Sequence, residues 1–441
     1  MAAPLAAGSP LADISPEAAI NTFLHTLRRP LHLMVAISGG SDSTGLLLSL
    51  KRAIEAQRFP HTHSLSAATI DHGLRTASAD EARRVAVFCE SLDIPHRIAR
   101  WSGPKPKQGL SAAARQARYS LLAEVADAVG ADAIVTGHTL DDQIETVAMR
   151  ADRSAEGAVG LAGMAPATLY AGRLWILRPY LRTRREDIRS YLDGLQQPWI
   201  EDPSNEDPRY ERVRVRLAAP AVDPAVIEEA ADHRKMLSLT AAQWLEASAQ
   251  GTNGPVVAIS LTGTTVPSPD VRDHALSALA AILGGKPHRP AAASLARLTA
   301  ALEQNTDFRL TLSGSLVLRR GNTLFLLRER RGLLPLLLPP FSRAVWDGRY
   351  SVENTGDTEV MIIPGPGPAI ASELPGIIRA ALAETSPQVI VKEGSSEEAR
   401  HKVIIRPRLS LFADFMPGFD KPLADTIARL IGAEPTPSAP I

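Results

Sequence analysis

One cysteine, Cys89, stands in a chain of 441 residues. That scarcity excludes a disulfide framework, a CxxC metal or redox pair, and an iron–sulfur cluster, each of which needs several thiolates. Cys89 lies in the helical stretch EARRVAVFCESL, where a lone cysteine reads as a small buried hydrophobe before it reads as a nucleophile. Long apolar runs are also missing. No stretch approaches the roughly 20 residues that span a bilayer, so no membrane span is expected. The opening MAAPLAAGSPLADISPEAA has neither a basic start nor a long apolar core, which is not the pattern of a secretory signal. Residues 1–25 read as a disordered lead-in, and the cytoplasm is the expected compartment. An excess of charge is absent too: 48 Lys and Arg face 48 Asp and Glu. Without a global basic field, any contact with nucleic acid must rest on local clusters. The chain has no GxxxxGKS or GxxxxGKT loop of the Walker kind, and no internal repeat.

What is present is a core-forming composition, 45% hydrophobic and 22% charged. At about 150 residues per domain the length suits two or three domains. Through the first half, strand and helix signals alternate. HLMVAIS (32–38), SLSAATI (64–70), PHRIARW (95–101), ADAIVTGH (131–138) and LWILRPY (174–180) read as strands. Helical periodicity runs through 43–57, 79–93, 110–130, 141–151 and 186–196. Such alternation predicts an α/β fold, a doubly wound parallel sheet. Ligands of these sheets bind in the crevice beyond the carboxyl ends of the strands, and the polar clusters SGGSDS, DHGLR and GHTLDDQ fall at those ends. The pattern changes near residue 217. A helix over 226–249, two shorter ones near 270–284 and 291–304, and a β-hairpin turning at Gly321-Asn322 predict a helical connector across 218–332. Short strands (VIVKE, KVIIRP) among glycine- and proline-rich turns predict a small C-terminal α/β or β-rich domain over 341–431, and 432–441 read as a disordered tail.

Ser38-Gly39-Gly40-Ser41-Asp42-Ser43 joins the first strand to a helix. Glycines allow a tight turn whose N–H groups converge on an anion, and the helix adds its positive end. Ser41 and Ser43 can donate hydroxyl hydrogen bonds to phosphate oxygens. A carboxylate facing phosphates needs a cation between them, so the simplest role for Asp42 is to help hold Mg2+. The bland alternative is an ordinary turn with a Ser/Asp N-cap. In GHTLDDQIET (137–146), residues three and four apart on a helix share a face, so His138, Asp142 and Glu145 are expected along one edge of the crevice. Two carboxylates there can bind an ammonium group or a metal, or simply stabilise a helix start. His72 and Arg75 follow the second strand; Arg115, on the long helix, is a phosphate or substrate contact; Arg212, Arg214 and Arg216 alternate with apolar positions. Each could instead be a turn residue or a solvated charge. Basic residues concentrate over 75–118, with the proline-spaced loop GPKPKQG, and at Arg319, Arg320, Arg328, Arg330 and Arg331. Both clusters suit an RNA backbone or a solvated face. Trp101 could stack on a base or fill a core.

SGGSDS after an apolar strand resembles the PP-loop of the ATP pyrophosphatase superfamily, whose fold is adenine nucleotide alpha hydrolase-like. That resemblance implies cleavage of ATP between its α- and β-phosphates, activation of a carbonyl oxygen as an adenylate, and release of pyrophosphate. DHGLR (71–75), AAAR with Arg118-Tyr119, TGHTLDDQIET (136–146) and the run WIEDPSN to YERVRVR (199–216), in this order, resemble the tRNA(Ile)-lysidine synthase family over residues 30–217. EGAVGLAGM and RPYLRTRRED add to the likeness. It implies an ATP-dependent ligase that joins free L-lysine to carbon 2 of the wobble cytidine in the CAU anticodon of tRNA(Ile). The route is an adenylated cytidine, the products are lysidine, AMP and pyrophosphate, and codon reading changes from AUG to AUA. The likeness further implies a catalytic domain over 26–217, with ATP on Ser38, Gly39, Gly40, Ser41, Asp42, Ser43, Asp71, His72 and Arg115, and Mg2+ at Asp42. Lysine and tRNA would meet His138, Asp142, Glu145, Arg212 and Arg216. Catalysis would fall to Asp42, Asp142 and Glu145, one of the last two taking the proton of the attacking amine. Segments 218–332 and 341–431 would grip tRNA, and a homodimer is compatible. One departure stands out: the family tail reads YxRNRIR, and Val213 takes the asparagine's place. A tRNA thiolase is the nearest rival, disfavoured by the single cysteine. A catalytically inactive tRNA-binding PP-loop protein is the other, disfavoured by the intact loop and the intact Asp142/Glu145 pair.

Overall fold

In the computed structural model the chain divides into two compact units, Met1–Asp232 with Ser438–Ile441, and His233–Pro437. The structure describes residues 14–441 except 57–58, 76, 107, 153–159, 202–208, 210, 219, 252–255, 263–266, 367–373 and 392–401.

The first unit opens with α1 (Pro16–Thr26). It continues through β1 (His32–Ala36), α2 (Ser41–Glu55), β2 (Ser64–Asp71), α3 (Ser78–Ser91), β3 (His96–Arg100), α4 (Leu110–Val129), β4 (Ala133–Thr136) and α5 (Leu140–Asp152). After these come β5 (Ala167–Tyr170), β6 (Leu174–Leu177), α6 (Arg185–Gly194) and α7 (Glu211–Leu217). Within the unit the strands lie side by side in the order β5-β6-β4-β1-β2-β3. β1, β2, β3, β4 and β6 are parallel, as the alternating sequence predicts, with Ala36 beside Ala68 on one flank and Thr136 on the other. Parallel strands covered by helices on both faces read as unbroken apolar runs, and Leu33, Met34 and Val35 of β1 are all 0% exposed. From β1 the chain winds outward to β2 and β3, then returns to the other side at β4. The order therefore reverses between β1 and β4, and the crevice at their carboxyl ends is where such a sheet binds its ligand.

Two elements depart from expectation. β5 is antiparallel to β6 and closed onto it by a tight turn in which Ala171 and Gly172 both take positive φ (50° and 68°). Turns of that hand close hairpins, but they are usually signalled by Asn-Gly or Asp-Gly, and Ala-Gly carries no such mark. α1 occupies part of the expected lead-in. Ser15 Oγ accepts from the Ala18 N–H at 3.3 Å, Pro16 starts the helix, and Ala19, Ile20, Phe23 and Leu24 form its buried stripe.

Next along the chain, α8 (Pro224–Ser248), α9 (Pro269–Leu283) and α10 (Ala292–Glu303) match the helices read from the sequence. The expected hairpin is the centre of a five-stranded antiparallel sheet. Its strands are β7 (Ala249–Gly251), β8 (Val256–Ser260), β9 (Phe308–Leu312), β10 (Ser315–Arg320) and β11 (Thr323–Arg328), ordered β7-β8-β11-β10-β9. The turn between β10 and β11 falls at Gly321-Asn322, with Gly321 at φ 54°. Beyond it two three-stranded sheets enclose Trp346, Val352, Val360 and Ile362, so the C-terminal part is β-rich. Residues after Ile431 form no helix or strand, yet Thr436 is held by Asp425 and Lys421 rather than left loose. Among the described residues no helix is long and apolar enough to cross a membrane.

Cys89 is 0% exposed on α3, and burial pushes its thiol up to about 12. Iodoacetamide at pH 8 is therefore expected to leave the folded protein unlabelled and to add one group after denaturation, read by intact mass. Labelling of the native protein at the rate of a free thiol would contradict this burial.

Candidate active site

β1 hands over to α2 through the SGGSDS loop. Gly39 takes φ +88°, and a Cβ there would stand 2.7 Å from Ile200 Cδ1 and 2.9 Å from Val85 Cγ2. Its carbonyl accepts from Ile200 N–H at 2.8 Å and from Thr44 Oγ1 at 3.1 Å. Gly40 sits at φ −68° and caps α2. Ser43 Oγ accepts from the Ser38 N–H at 3.1 Å and donates to the Gly40 carbonyl at 3.2 Å; Ser41 Oγ donates to Asp42 Oδ1 at 3.0 Å. Here the two hydroxyls hold the loop in shape. The amides of Ser41, Asp42 and Ser43, in the first turn, have no partner within the helix, and with the helix dipole they are suited to receive an anion.

Gly137, at the exit of β4, lies directly against this loop. A Cβ there would stand 2.8 Å from the Asp42 carbonyl oxygen and 3.1 Å from Ser43 N. Gly137→Ala must push the two carboxyl-end loops apart, at a cost of about 1–3 kcal/mol. Its expected effects are a lower melting temperature and at least several-fold weaker ATP binding by titration calorimetry. Wild-type values for both would show that the loops separate freely.

Asp142 and Glu145 lie on α5, one turn apart, and both are buried. Asp142 divides its two oxygens between structure and site. Oδ2 accepts from Thr139 N (2.7 Å) and Thr139 Oγ1 (3.1 Å), while Thr139 Oγ1 accepts from Asp142 N (3.3 Å), a reciprocal N-terminal cap. Oδ1 faces the crevice and accepts from Arg185 Nη2 (3.1 Å) and Arg212 Nη2 (2.8 Å). Glu145 accepts from Arg212 Nε (2.6 Å) and Arg216 Nε (2.7 Å). Arg185 Nε donates to Asp42 Oδ2 at 3.0 Å, and its Nη1 stands 3.8 Å from Glu145 Oε1. Three carboxylates from α2 and α5 thus face three guanidiniums from α6 and α7, and the formal charge of the cluster is zero.

Burial, with the nearby Asp142 charge, raises the Asp42 carboxyl above its ordinary value even though Arg185 opposes the shift. Burial alone would weaken the Arg185 and Arg212 charges, but the carboxylates outweigh it and both guanidiniums are held more firmly protonated. On α7, Arg212 and Arg216 share a face because they are four residues apart, whereas Arg214 points away and donates to the Arg209 carbonyl at 3.0 Å. Val213 is 6% exposed, so the position where the family carries asparagine is here an apolar packing position.

His138 does not share a helix face with the two acids, because α5 starts after it. Its Nδ1 pairs with Thr136 Oγ1 at 2.9 Å. Burial and then the charges of Arg178, Arg118, Arg212 and Arg115 drive its pKa well below the ordinary value, so the ring is neutral at physiological pH. Asp71 holds its own turn: Oδ1 accepts from Gly73 N (2.8 Å) and Ser78 Oγ (2.7 Å), and Arg100 lies 3.5 Å from Oδ2. Burial alone would raise its pKa, but these partners win and lower it. His72 meets Trp101 edge-on at 6.2 Å, and Lys105 Nζ sits 3.8 Å over one face of the Trp101 ring. Arg115 lies over the Tyr119 ring at 5.1 Å.

The residue that sequence reasoning missed is Arg185. Its only signal was a place in the RPYLRTRRED run, beside three other arginines. In the fold its backbone N–H donates to Asp141 Oδ2 at 2.8 Å, which ties the start of α6 to α5.

Residues 14–220 match the family model of the PP-loop domain. Over 448 residues the chain is 39% identical to the tRNA(Ile)-lysidine synthase of Rhizobium meliloti (strain 1021), covering 97% of this chain and 98% of that protein. It is 40% identical over 452 residues to the protein of the same name from Mesorhizobium japonicum, with the same coverage of 97% and 98%. The protein of that name from Brucella melitensis biotype 2 is 36% identical over 92% of this chain and 96% of its own. Among solved structures, the U34-tRNA thiolase NcsA from Methanococcus maripaludis is similar at a TM-score of 0.40 and 16% identity, covering 49% of this chain and 77% of that one.

Proposed function

The chain belongs to the tRNA(Ile)-lysidine synthase family, and from that premise we propose that it ligates the ε-amine of free L-lysine to carbon 2 of the wobble cytidine in the CAU anticodon of tRNA(Ile). The observation that supports this reading is the meeting, at the carboxyl ends of β1 and β4, of a PP-loop suited to an anion with two buried carboxylates suited to a cation.

ATP is cleaved between its α- and β-phosphates, and the AMP moiety is joined to the carbonyl oxygen at carbon 2 of the base, turning that oxygen into a leaving group. The amides of Ser41, Asp42 and Ser43 stabilise charge growing on the pyrophosphate. The lysine amine then attacks carbon 2, AMP leaves, and one proton departs from the nitrogen. Glu145, or Asp142 through Oδ1, both facing the crevice, takes that proton. The ammonium group of the incoming lysine binds the same two carboxylates before it is deprotonated. His138, held neutral, contributes shape and a hydrogen bond rather than charge.

Mg2+ fits this site in one way only. Among the described residues no three His, Cys, Asp or Glu side chains gather to hold a metal by themselves. Asp42 alone would hold it, with phosphate oxygens completing the shell, which is how Mg2+ usually binds nucleotides. The ion would neutralise charge on the departing pyrophosphate. A carboxyl whose burial raises its pKa gains from such a cation. A thiolase reading fails on Cys89, which is buried in α3.

The test is incubation of purified protein with ATP, Mg2+, radiolabelled lysine and unmodified tRNA(Ile) bearing CAU, with a methionine tRNA of the same anticodon as control. Label on the isoleucine tRNA alone is the expected result. No label, with ATP bound and the protein folded, would refute the proposed acceptor.

A further inference from the structure

The guanidinium of Arg185 spans the two halves of the site. Through Nε it bonds Asp42 on the PP-loop helix at 3.0 Å, and through Nη2 it bonds Asp142 on α5 at 3.1 Å. Its third nitrogen stands 3.8 Å from Glu145. The side chain is 18% exposed, so this is an interior contact and not a surface ion pair. The backbone is anchored separately, by the Asp141 carboxylate, so the side chain can turn while its Cα stays in place.

The charges place a demand on this arrangement. Asp42, Asp142 and Glu145 are already balanced by Arg185, Arg212 and Arg216. A lysine ammonium bound at Asp142 and Glu145 would be a fourth cation crowded against three, in a partly desolvated space where like charges repel strongly. A nucleotide brings the opposite sign to the adjacent loop. Its phosphates offer Arg185 oxygens of higher charge, and any cation they carry takes over Asp42.

We propose that Arg185 is a positioning residue that couples the two substrates, resting on Asp42 and Asp142 in the free protein and turning to the phosphates when nucleotide binds, so that Asp142 Oδ1 keeps only Arg212 as a guanidinium partner and can accept the lysine ammonium in place of Arg185. Lysine then binds tightly only after ATP. The same movement brings a positive charge to the pyrophosphate side, where guanidinium geometry suits phosphate oxygens. Coupling of this kind is reciprocal: lysine must strengthen nucleotide binding by the same factor. The proposal rests on the lysine-site reading above.

Calorimetry of lysine binding tests it without turnover. The titrations use the full chain with Mg2+, with and without an ATP analogue carrying a methylene between its α- and β-phosphates. For the wild type, the analogue is expected to tighten lysine binding by about tenfold, within the usual range of coupling between sites. In Arg185→Gln, lysine should bind the nucleotide-free protein more tightly than it binds the nucleotide-free wild type, and the analogue should change its affinity by less than twofold. Arg185→Lys, which keeps one charge but cannot fork between two acids, should restore part of the dependence. A melting curve for each variant separates misfolding from loss of coupling. Wild-type lysine binding that ignores the analogue, or full dependence retained in Arg185→Gln, overturns the coupling while leaving the lysine site standing. No lysine binding under any condition overturns the lysine-site reading and the coupling with it.

Discussion

Replacing Glu145 by glutamine is expected to cut lysine transfer by at least about a hundredfold at low lysine, the lower end of what a positioned general base contributes. Its side chain is 4% exposed and accepts from Arg212 Nε at 2.6 Å and Arg216 Nε at 2.7 Å. Glutamine keeps the shape but offers a single oxygen and no charge, so the ammonium loses half of its binding pair and the attacking amine loses a proton acceptor. ATP binding should stay within about twofold, because the PP-loop makes no bond to Glu145. The fold should soften as well. Breaking a fully buried ion pair costs about 3–5 kcal/mol, but the side chains of Arg212 and Arg216 are 40% and 36% exposed, so water recovers much of that and about 1–2 kcal/mol is the larger loss expected. Steady-state kinetics in lysine and in ATP, with a thermal melt, separate these effects. If the requirement for ATP rises while that for lysine does not, Glu145 belongs to the nucleotide site and not to the amine site.

Glu145 was legible because both it and its partner lie within one helical turn of a motif that follows a strand. Spacing on a single element can be read from sequence. The same holds for the β1–loop–α2 junction, where apolar run, glycines and helix start are consecutive. Arg185 could not be read this way. It lies 143 residues from Asp42, and nothing local distinguishes it from Arg182 or Arg184 until the fold sets α6 against the carboxyl ends of β1 and β4. The helix face expected for His138 was misplaced for the opposite reason. The three-and-four spacing was right, but Thr139 caps α5 and the helix begins at Leu140, two residues too late to include it. Arg212 and Arg216 read as an alternating charged run; as a helix, their spacing of four puts both on Glu145 and sends Arg214 to the far side. The antiparallel strand β5 was hidden because four residues and an Ala-Gly turn carry little signal. Most of the residues that meet in the crevice were therefore visible one by one, while their charge balance appeared only in three dimensions.

Asp42→Asn is expected to abolish pyrophosphate release, by at least about a thousandfold, the upper range for loss of one preorganised electrostatic contact. It should leave tRNA affinity within about twofold, since Asp42 sits inside the nucleotide loop. Its effect on stability should run the other way. Burial raises the Asp42 pKa in the fold, with the Asp142 charge adding to it and Arg185 opposing it. A carboxyl whose folded pKa lies above its unfolded value binds a proton more readily when folded. Ionising it as pH rises through the acid range therefore costs stability, and the native protein carries that cost at neutral pH. Asparagine carries no such charge. The variant should melt at the same temperature as the wild type or higher at pH 7.5, and the difference should shrink as pH falls towards 4 and the wild-type carboxyl takes up its proton. A dead enzyme with a more stable fold is the signature of a charge kept for chemistry at the expense of packing. If Asp42→Asn turns over normally, the proposed metal and phosphate role is lost. If it is both inactive and markedly less stable at neutral pH, Asp42 acts chiefly as the structural partner of Arg185.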